Sequence, residues 1–268
     1  MTHQGLVKVV IQCFVCGSMG PSQASEAIIL RARAYGEADK IVTFLTADIG
    51  KLTGIAKGAK NSRRRFANCL DPFTRVRVHF RTKPGASLAF MESCDLLESV
   101  GALVDPAKFA YGSYLVELVD QLTAEGQPIR ELYDLLAEGL DAVRHGPATA
   151  TLLRGFELRL LHHAGYEPQL QTCARCHLPL SSDAGVYLDP AHGSVVCTRC
   201  RDAAESLLPI GGATLAALTA LKPLPLAEAR RRRFPNGAAA EAAQVMSRLL
   251  ALHLARPLRS VKLIAALR

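Results

Sequence analysis

The chain lacks the features that would place it in a membrane or mark it as a common type of enzyme. No apolar run reaches the roughly 20 residues a transmembrane helix requires. Residues 1–24 are poor in what a secretory signal needs. The apolar stretch Leu6–Cys16 holds its basic residue, Lys8, inside itself, and no clear small-residue cleavage site follows. We read this segment as a disordered extension or a misplaced start, with Met19 an alternative initiator, and expect a cytoplasmic protein. No G-x-x-x-x-G-K-[ST] loop is present, so nucleotide hydrolysis has no support. Neither a nucleophile–base set nor a carboxylate pair emerges, and we expect no catalytic turnover. There are no internal repeats. Core-forming residues are not scarce: 49% are apolar and 21% charged, which excludes wholesale disorder. The 268 residues suffice for two or three domains.

The net charge of +8 is unevenly spread. Between Lys51 and Lys83 ten Lys/Arg face one acid, Asp71, whereas residues 105–165 carry five bases against nine acids. Residues 222–268 return to ten bases against two acids. Two basic segments flanking an acidic middle suggest a polyanion partner for the basic parts and a different partner for the middle. Solvation of the fold by Arg-rich surface is the bland alternative.

Hydrophobic periodicity divides the chain. Glu26–Ala34, Lys40–Thr46, Lys51–Ala56, Arg75–Arg81 and Leu88–Leu97 read as strands. The fourth alternates strictly, with Val76, Val78 and Phe80 on one face and Arg75, Arg77, His79 and Arg81 on the other. Five short strands in so short a span suggest a small closed barrel, an OB-fold or, nearly as well, an SH3-like barrel. Beyond Asp105-Pro106 the period becomes helical. Helices are expected from Pro106, over about 128–144 and 148–164, then near 212–221, 238–254 and 260–267. The expected fold is α+β: an OB-fold β-barrel over 25–104, then an α-helical domain over 105–268 with a cysteine element, 166–207, embedded in it.

That element contains Cys173-x2-Cys176 and, twenty residues later, Cys197-x2-Cys200. Each pair on a tight turn aims two thiolates at one point, and a strand-like loop between them brings the pairs together. Four soft thiolates in tetrahedral array suit one structural Zn(2+), with no position open for substrate. Two disulfides, a redox dithiol or an iron–sulfur cluster are the alternatives. His177 and His192 are superfluous beside four cysteines. Cys13 and Cys16 have no second pair nearby and are read as incidental, and Cys69 and Cys94 as small buried residues.

The candidate nucleic-acid surface is the segment GKLTGIAKGAKNSRRRF, residues 50–66. Lys57, Lys60, Arg63, Arg64 and Arg65 gather on a glycine-containing connection between two strands, which can follow a phosphate backbone. Lys51 and the strand residues Arg75, Arg77 and Arg81 extend it, and Arg230–Arg233 are a weaker addition. Phe66, Phe73 and Phe80 could stack bases, although interior positions suit at least Phe73 and Phe80 better.

The chain resembles the RecO family of recombination mediators. The carrying residues are Glu26–Leu30, the Tyr35–Lys40 turn, Gly50–Leu52, Ala56–Lys60 and Leu70–Phe73, then Arg154–Leu158, Gly165-Tyr166, the four cysteines and Pro257–Ser260. The likeness spans about residues 26–265. It implies binding of single-stranded DNA, with double-stranded DNA a further candidate partner, annealing of complementary strands and, with the partner RecR, loading of RecA onto DNA coated by single-strand-binding protein. It also implies a nucleoid-associated location and a docking pocket on the helical domain for that protein's acidic C-terminal tail. Arg154 matches a pocket residue, and Leu153 and Phe156 are further candidates better suited to core packing. An RNA-binding OB/zinc-ribbon protein of translation or RNA processing is the main alternative. A zinc-dependent nucleic-acid enzyme and a pure adaptor are lesser ones.

Overall fold

The computed structural model describes residues 20–83, 85–99, 105–180, 185–202 and 206–267. Cys13, Cys16 and Met19 lie outside them. Two compact units divide between Ser99 and Val100, and each is described by itself.

The first unit is a closed barrel of five strands: β1 (Gln23–Tyr35), β2 (Asp39–Thr46), β3 (Gly50–Ala56), β4 (Arg75–Arg81) and β5 (Ala89–Glu98), in the order β1-β2-β3-β5-β4. Strand β1 begins at Gln23, inside the segment read from sequence as an extension. It serves two neighbours, pairing with β4 over residues 23–28 and with β2 over residues 27–35. A register shift between Ile29 and Arg31 bends it from one partner to the other, as closure of a small barrel requires. Antiparallel pairing runs throughout except where β3 meets β5 in parallel and shuts the barrel. That seam is tight at Gly54, where a Cβ would lie 2.9 Å from Met91 Cγ and 3.2 Å from the Ala89 carbonyl. The architecture is OB-like. Alternating residues Val76, Val78 and Phe80 fill the interior with Phe44 and Met91, and Phe44 meets Phe80 edge to face at 6.0 Å.

The second unit is helical. Helix α1 (Pro106–Leu122) starts where expected: Asp105 caps it by accepting from the Ala107 and Lys108 N–H groups, and Pro106 occupies the first turn. Helices α2 (Arg130–Arg144) and α3 (Ala150–His163) follow. Ten of the fourteen residues of α3 are buried, which makes it the central helix of this unit. Gly165, at φ +83°, turns the chain out of α3. Then come β6 (Gln169–Cys173), β7 (Val186–Asp189), β8 (Ser194–Cys197) and β9 (Leu208–Ile210), forming a second sheet in the order β6-β8-β7-β9. Helices α4 (Gly212–Leu221), α5 (Leu226–Ala229), α6 (Ala238–Ala251) and α7 (Ser260–Ala265) complete the unit. Among the described residues, no helix is long and apolar enough to cross a membrane.

Helices α1, α2 and α3 pack tightly against one another at Gly139. A Cβ there would stand 2.9 Å from Leu115 Cδ1 and 3.0 Å from the Phe156 ring. Overpacking a site of this kind costs about 1–3 kcal/mol. Gly139→Val should therefore lower the unfolding free energy by an amount in that range, read as a lower urea midpoint with the slope of the transition unchanged.

Candidate nucleic-acid interface and metal centre

The basic connection between β3 and β4 is held from below by apolar residues. Phe66, Cys69, Leu70 and Phe73 are all buried among the barrel's core residues. Phe73 adopts φ +72°, and its segment is tied to β1 by Phe73 N–H to the Ile29 carbonyl at 2.9 Å and Ile29 N–H to the Thr74 carbonyl at 3.0 Å. None of Phe66, Phe73 and Phe80 is exposed for stacking. Cys69 donates to the Cys94 carbonyl at 3.0 Å, and burial pushes both thiols above their ordinary range, so these two cysteines are packing residues.

On this floor the cations stand in three different states. Lys57 pairs with Asp39 at 2.8 Å, Lys60 donates to the Gly36 carbonyl at 2.8 Å, and Arg65 donates to the Lys57 carbonyl at 2.9 Å while lying over the Phe66 ring. Asp39 also accepts from the Gly58 N–H at 2.8 Å, and Gly58 has φ +68°, so the glycine serves the turn itself. Arg63 and Arg64 are exposed, and among the described residues neither is paired with an acid. On the outer face of β4, Arg75 and Arg77 lie 3.2 and 3.6 Å from Glu26, and Arg81 lies 2.5 Å from Glu92. Sequence alternation located that face but not its acids, which arrive from β1 and β5. Lys51 is half-buried in β3.

Asp39 is therefore the anchor of the loop. Burial would raise its pKa, but the Lys57 ammonium and the Gly58 N–H outweigh burial and hold it below the ordinary value. A carboxylate depressed in the folded state stabilises above its unfolded pKa and loses that contribution as pH falls through the folded value. Amide protection at Gly58 should thus be flat from neutral pH to near pH 5 and fall below pH 4. In Asp39→Asn that acid step should be absent.

In the second unit, Cys173, Cys176, Cys197 and Cys200 converge, with all four Sγ atoms within 4.8 Å of one another. Cys173 ends β6, Cys197 ends β8, and Cys200 closes a short 3-10 turn, so the second sheet and its turns build the site. His177 takes φ +59° just after Cys176, which lets the Leu178 carbonyl accept from Cys173 N–H at 3.0 Å. Cys176 and Cys197 sulfurs are 3.9 Å apart, too far for a disulfide and close to the roughly 3.8 Å edge of a thiolate tetrahedron with 2.3 Å metal–sulfur bonds. Burial would raise the Cys173 thiol, yet backbone N–H groups of Cys176, Cys197 and Arg175 aim at it and bring it down to about 6. The four sulfurs together form a cradle that could hold a metal ion. His192 pairs instead with Asp189 at 2.7 Å. Strands β6 and β9 were missed from sequence. The only alternation in β6 is buried Leu170 between exposed Gln169 and Gln171, and Cys173, three residues on and beyond a register shift, is out of phase with it, so the signal was too short to read.

Arg154 lies on α3 and is almost wholly buried. One amino nitrogen donates to the fully buried Glu157, whose same oxygen accepts from the Tyr114 hydroxyl. Burial would lower the Arg154 pKa, but the adjacent Glu157 outweighs it and raises it, while burial pushes the Glu157 carboxyl above its ordinary value in spite of Arg154 and Tyr114. Its Nε has no acceptor among the described residues. Arg154 lines an apolar groove of about 810 Å³ with Tyr111, Leu153, Leu250, Leu258 and Ile264. Leu153 thus faces the groove, whereas Phe156 belongs to the core. Arg230 turns inward and donates to the Ala142 carbonyl at 2.7 Å, leaving Arg231–Arg233 exposed.

Family comparison matches residues 19–100 to the recombination protein O N-terminal model and residues 103–262 to its C-terminal model. Among curated relatives, the DNA repair protein RecO of Anaeromyxobacter sp. (strain K) is 38% identical over 232 residues, covering 86% of this chain and 91% of its own. The DNA repair protein RecO of Myxococcus xanthus is 35% identical over 241 residues, covering 90% and 96%. That of Syntrophus aciditrophicus is 34% identical over 245 residues, covering 90% and 94%.

The cysteine site makes a direct prediction. Elemental analysis of purified protein should find one bound divalent ion per chain, and Cys173→Ser should reduce it to background. A full complement in that variant would remove the assignment.

Proposed function

The chain belongs to the RecO family of DNA repair proteins, and from that premise we propose that it is a recombination mediator acting on single-stranded DNA. The observation that carries this reading is the pair Arg63 and Arg64: exposed, unneutralised cations on an anchored loop of an OB-like barrel. Phosphates gain most from charges that no acid has already claimed. Lys57, Lys60 and Arg65 reinforce them. Arg75, Arg77 and Arg81 contribute less, because exposed ion pairs hold them, and each such pair is worth about 0–1 kcal/mol that a phosphate must displace.

Annealing then follows from electrostatics. Neutralising two strands that repel each other raises their local concentration at the surface until base pairing begins. No base needs to be read, and the burial of Phe66, Phe73 and Phe80 suits a surface that grips backbone and leaves bases free. The partners in this reading are RecR, single-strand-binding protein and, functionally, RecA, in the cytoplasm at the nucleoid. The acidic tail of single-strand-binding protein fits the groove beside Arg154, whose orphaned Nε and apolar surroundings offer a donor to a carboxylate and contact to apolar side chains. Zinc is the ion proposed for Cys173, Cys176, Cys197 and Cys200, since four thiolates with no open position suit it and confine it to bracing the second sheet. No catalytic step is assigned.

Single-stranded DNA affinity measured against salt tests the loop. Each phosphate contact contributes about 0.7 to the log–log slope, so Arg63→Glu with Arg64→Glu should flatten it by about 1.4 or more. The double change Arg75→Glu with Arg77→Glu should flatten it less. Equal slopes in all three proteins would overturn the assignment. Preference for RNA without strand annealing would favour the RNA-processing alternative.

A further inference from the structure

One wall of the Arg154 groove is made by chain that cannot hold itself in place. Eight of the groove-lining residues, from Leu254 to Ala265, lie in the last turn after α6 and in α7. Helix α7 has only six residues, most of them exposed, and isolated helices of that length do not persist in water. Arg259, at its N-terminus, has helical angles and supplies no side-chain cap.

The cap comes from another helix. Glu117, on α1, accepts from the Arg259 N–H through Oε1 at 3.0 Å. Its Oε2 accepts from the Ser260 N–H at 2.9 Å and from the Ser260 hydroxyl at 2.6 Å. A carboxylate at the N-terminal end of a helix satisfies orphan N–H groups and meets the positive end of the backbone dipoles. One turn further along α1, Gln121 accepts from the Arg256 N–H at 3.1 Å, and the Asp120 carboxylate lies 3.9 Å from the Arg256 guanidinium. Ser260 is buried by this arrangement, while Val261, Ile264 and Ala265 are turned toward the groove.

We propose that Glu117 is the positioning residue of the acidic-peptide groove: without touching the peptide, it clamps Arg259 and Ser260 and thereby fixes the wall formed by α7. The inference rests on the groove reading given above. It assigns no ligand contact to Glu117, whose carboxylate already accepts three hydrogen bonds.

The test pairs a fluorescein-labelled synthetic peptide, the acidic tail of single-strand-binding protein with a free terminal carboxylate, with hydrogen exchange of residues 254–265. Wild type should bind. Glu117→Ala should weaken binding about tenfold, as expected when hydrogen bonds to a charged group are lost. It should also deprotect the amides of Arg256, Arg259 and Ser260 while leaving single-stranded DNA affinity unchanged. Glu117→Gln keeps one carbonyl acceptor and should recover most of the peptide affinity, which a folding defect alone would not produce. If Glu117→Ala and Glu117→Gln both bind as wild type does, the positioning role is wrong even if exchange accelerates. If wild type itself fails to bind, the groove reading fails and the proposal falls with it.

Discussion

Helix α3 runs through the helical unit with little access to water, and its two opposite charges are tolerated there because each is the other's partner. A buried ion costs several kcal/mol unless paired and hydrogen-bonded. Spacing Arg154 and Glu157 three residues apart puts them on one face, and Tyr114 on α1 supplies a further donor. This interaction fixes more than itself. On the same helix Leu153 lines the groove beside Arg154 while Phe156 packs into the core. The interaction also ties α1 to α3, so the helix that bears Glu117 and the helix that bears Arg154 share one rigid contact. The polar edge of the groove is thus built on the costliest part of the fold.

The barrel handles charge in the opposite way, by keeping it outside and varying how tightly it is held. The outer face of β4 is nearly balanced, because β1 and β5 bring Glu26, Asp95 and Glu92 to its arginines and histidine. The neighbouring loop is tethered at Lys57 and Lys60 but, among the described residues, leaves Arg63 and Arg64 without acids. A count of basic residues would treat these sites alike. Their neighbours separate them.

Much of this was legible in the sequence, where periodicity carries the information. The strict alternation of Arg75–Arg81 gave both its strand and its buried face, and Asp105-Pro106 gave the start of α1 because cap and first turn are local. The cysteine spacing named the four converging sulfurs, since two tight turns and a hairpin leave few other outcomes. What was not legible is non-local. Glu26 lies 49 residues before Arg75, and nothing in either segment announces their pairing. The burial of Phe66 depends on how the loop folds back over the barrel. Arg230 was read as surface charge, yet it turns inward because Gly146 leaves room and the end of α2 needs a donor.

Closure of the barrel carries a consequence for a protein that would crowd onto a polymer. Each of its strands pairs with a neighbour on both sides over part of its length, so among the described residues the first unit has no strand that lies wholly at an edge. In the second sheet the outer side of β6 is covered by residues 178–180, with Leu180 N–H donating to the Gln171 carbonyl at 3.0 Å, and β9 at the other end is three residues long with Pro209, which has no N–H, at its centre. If molecules gather densely along one DNA strand, as proposed, the barrel then meets its neighbours mainly through charged side chains and offers them little main chain to pair with.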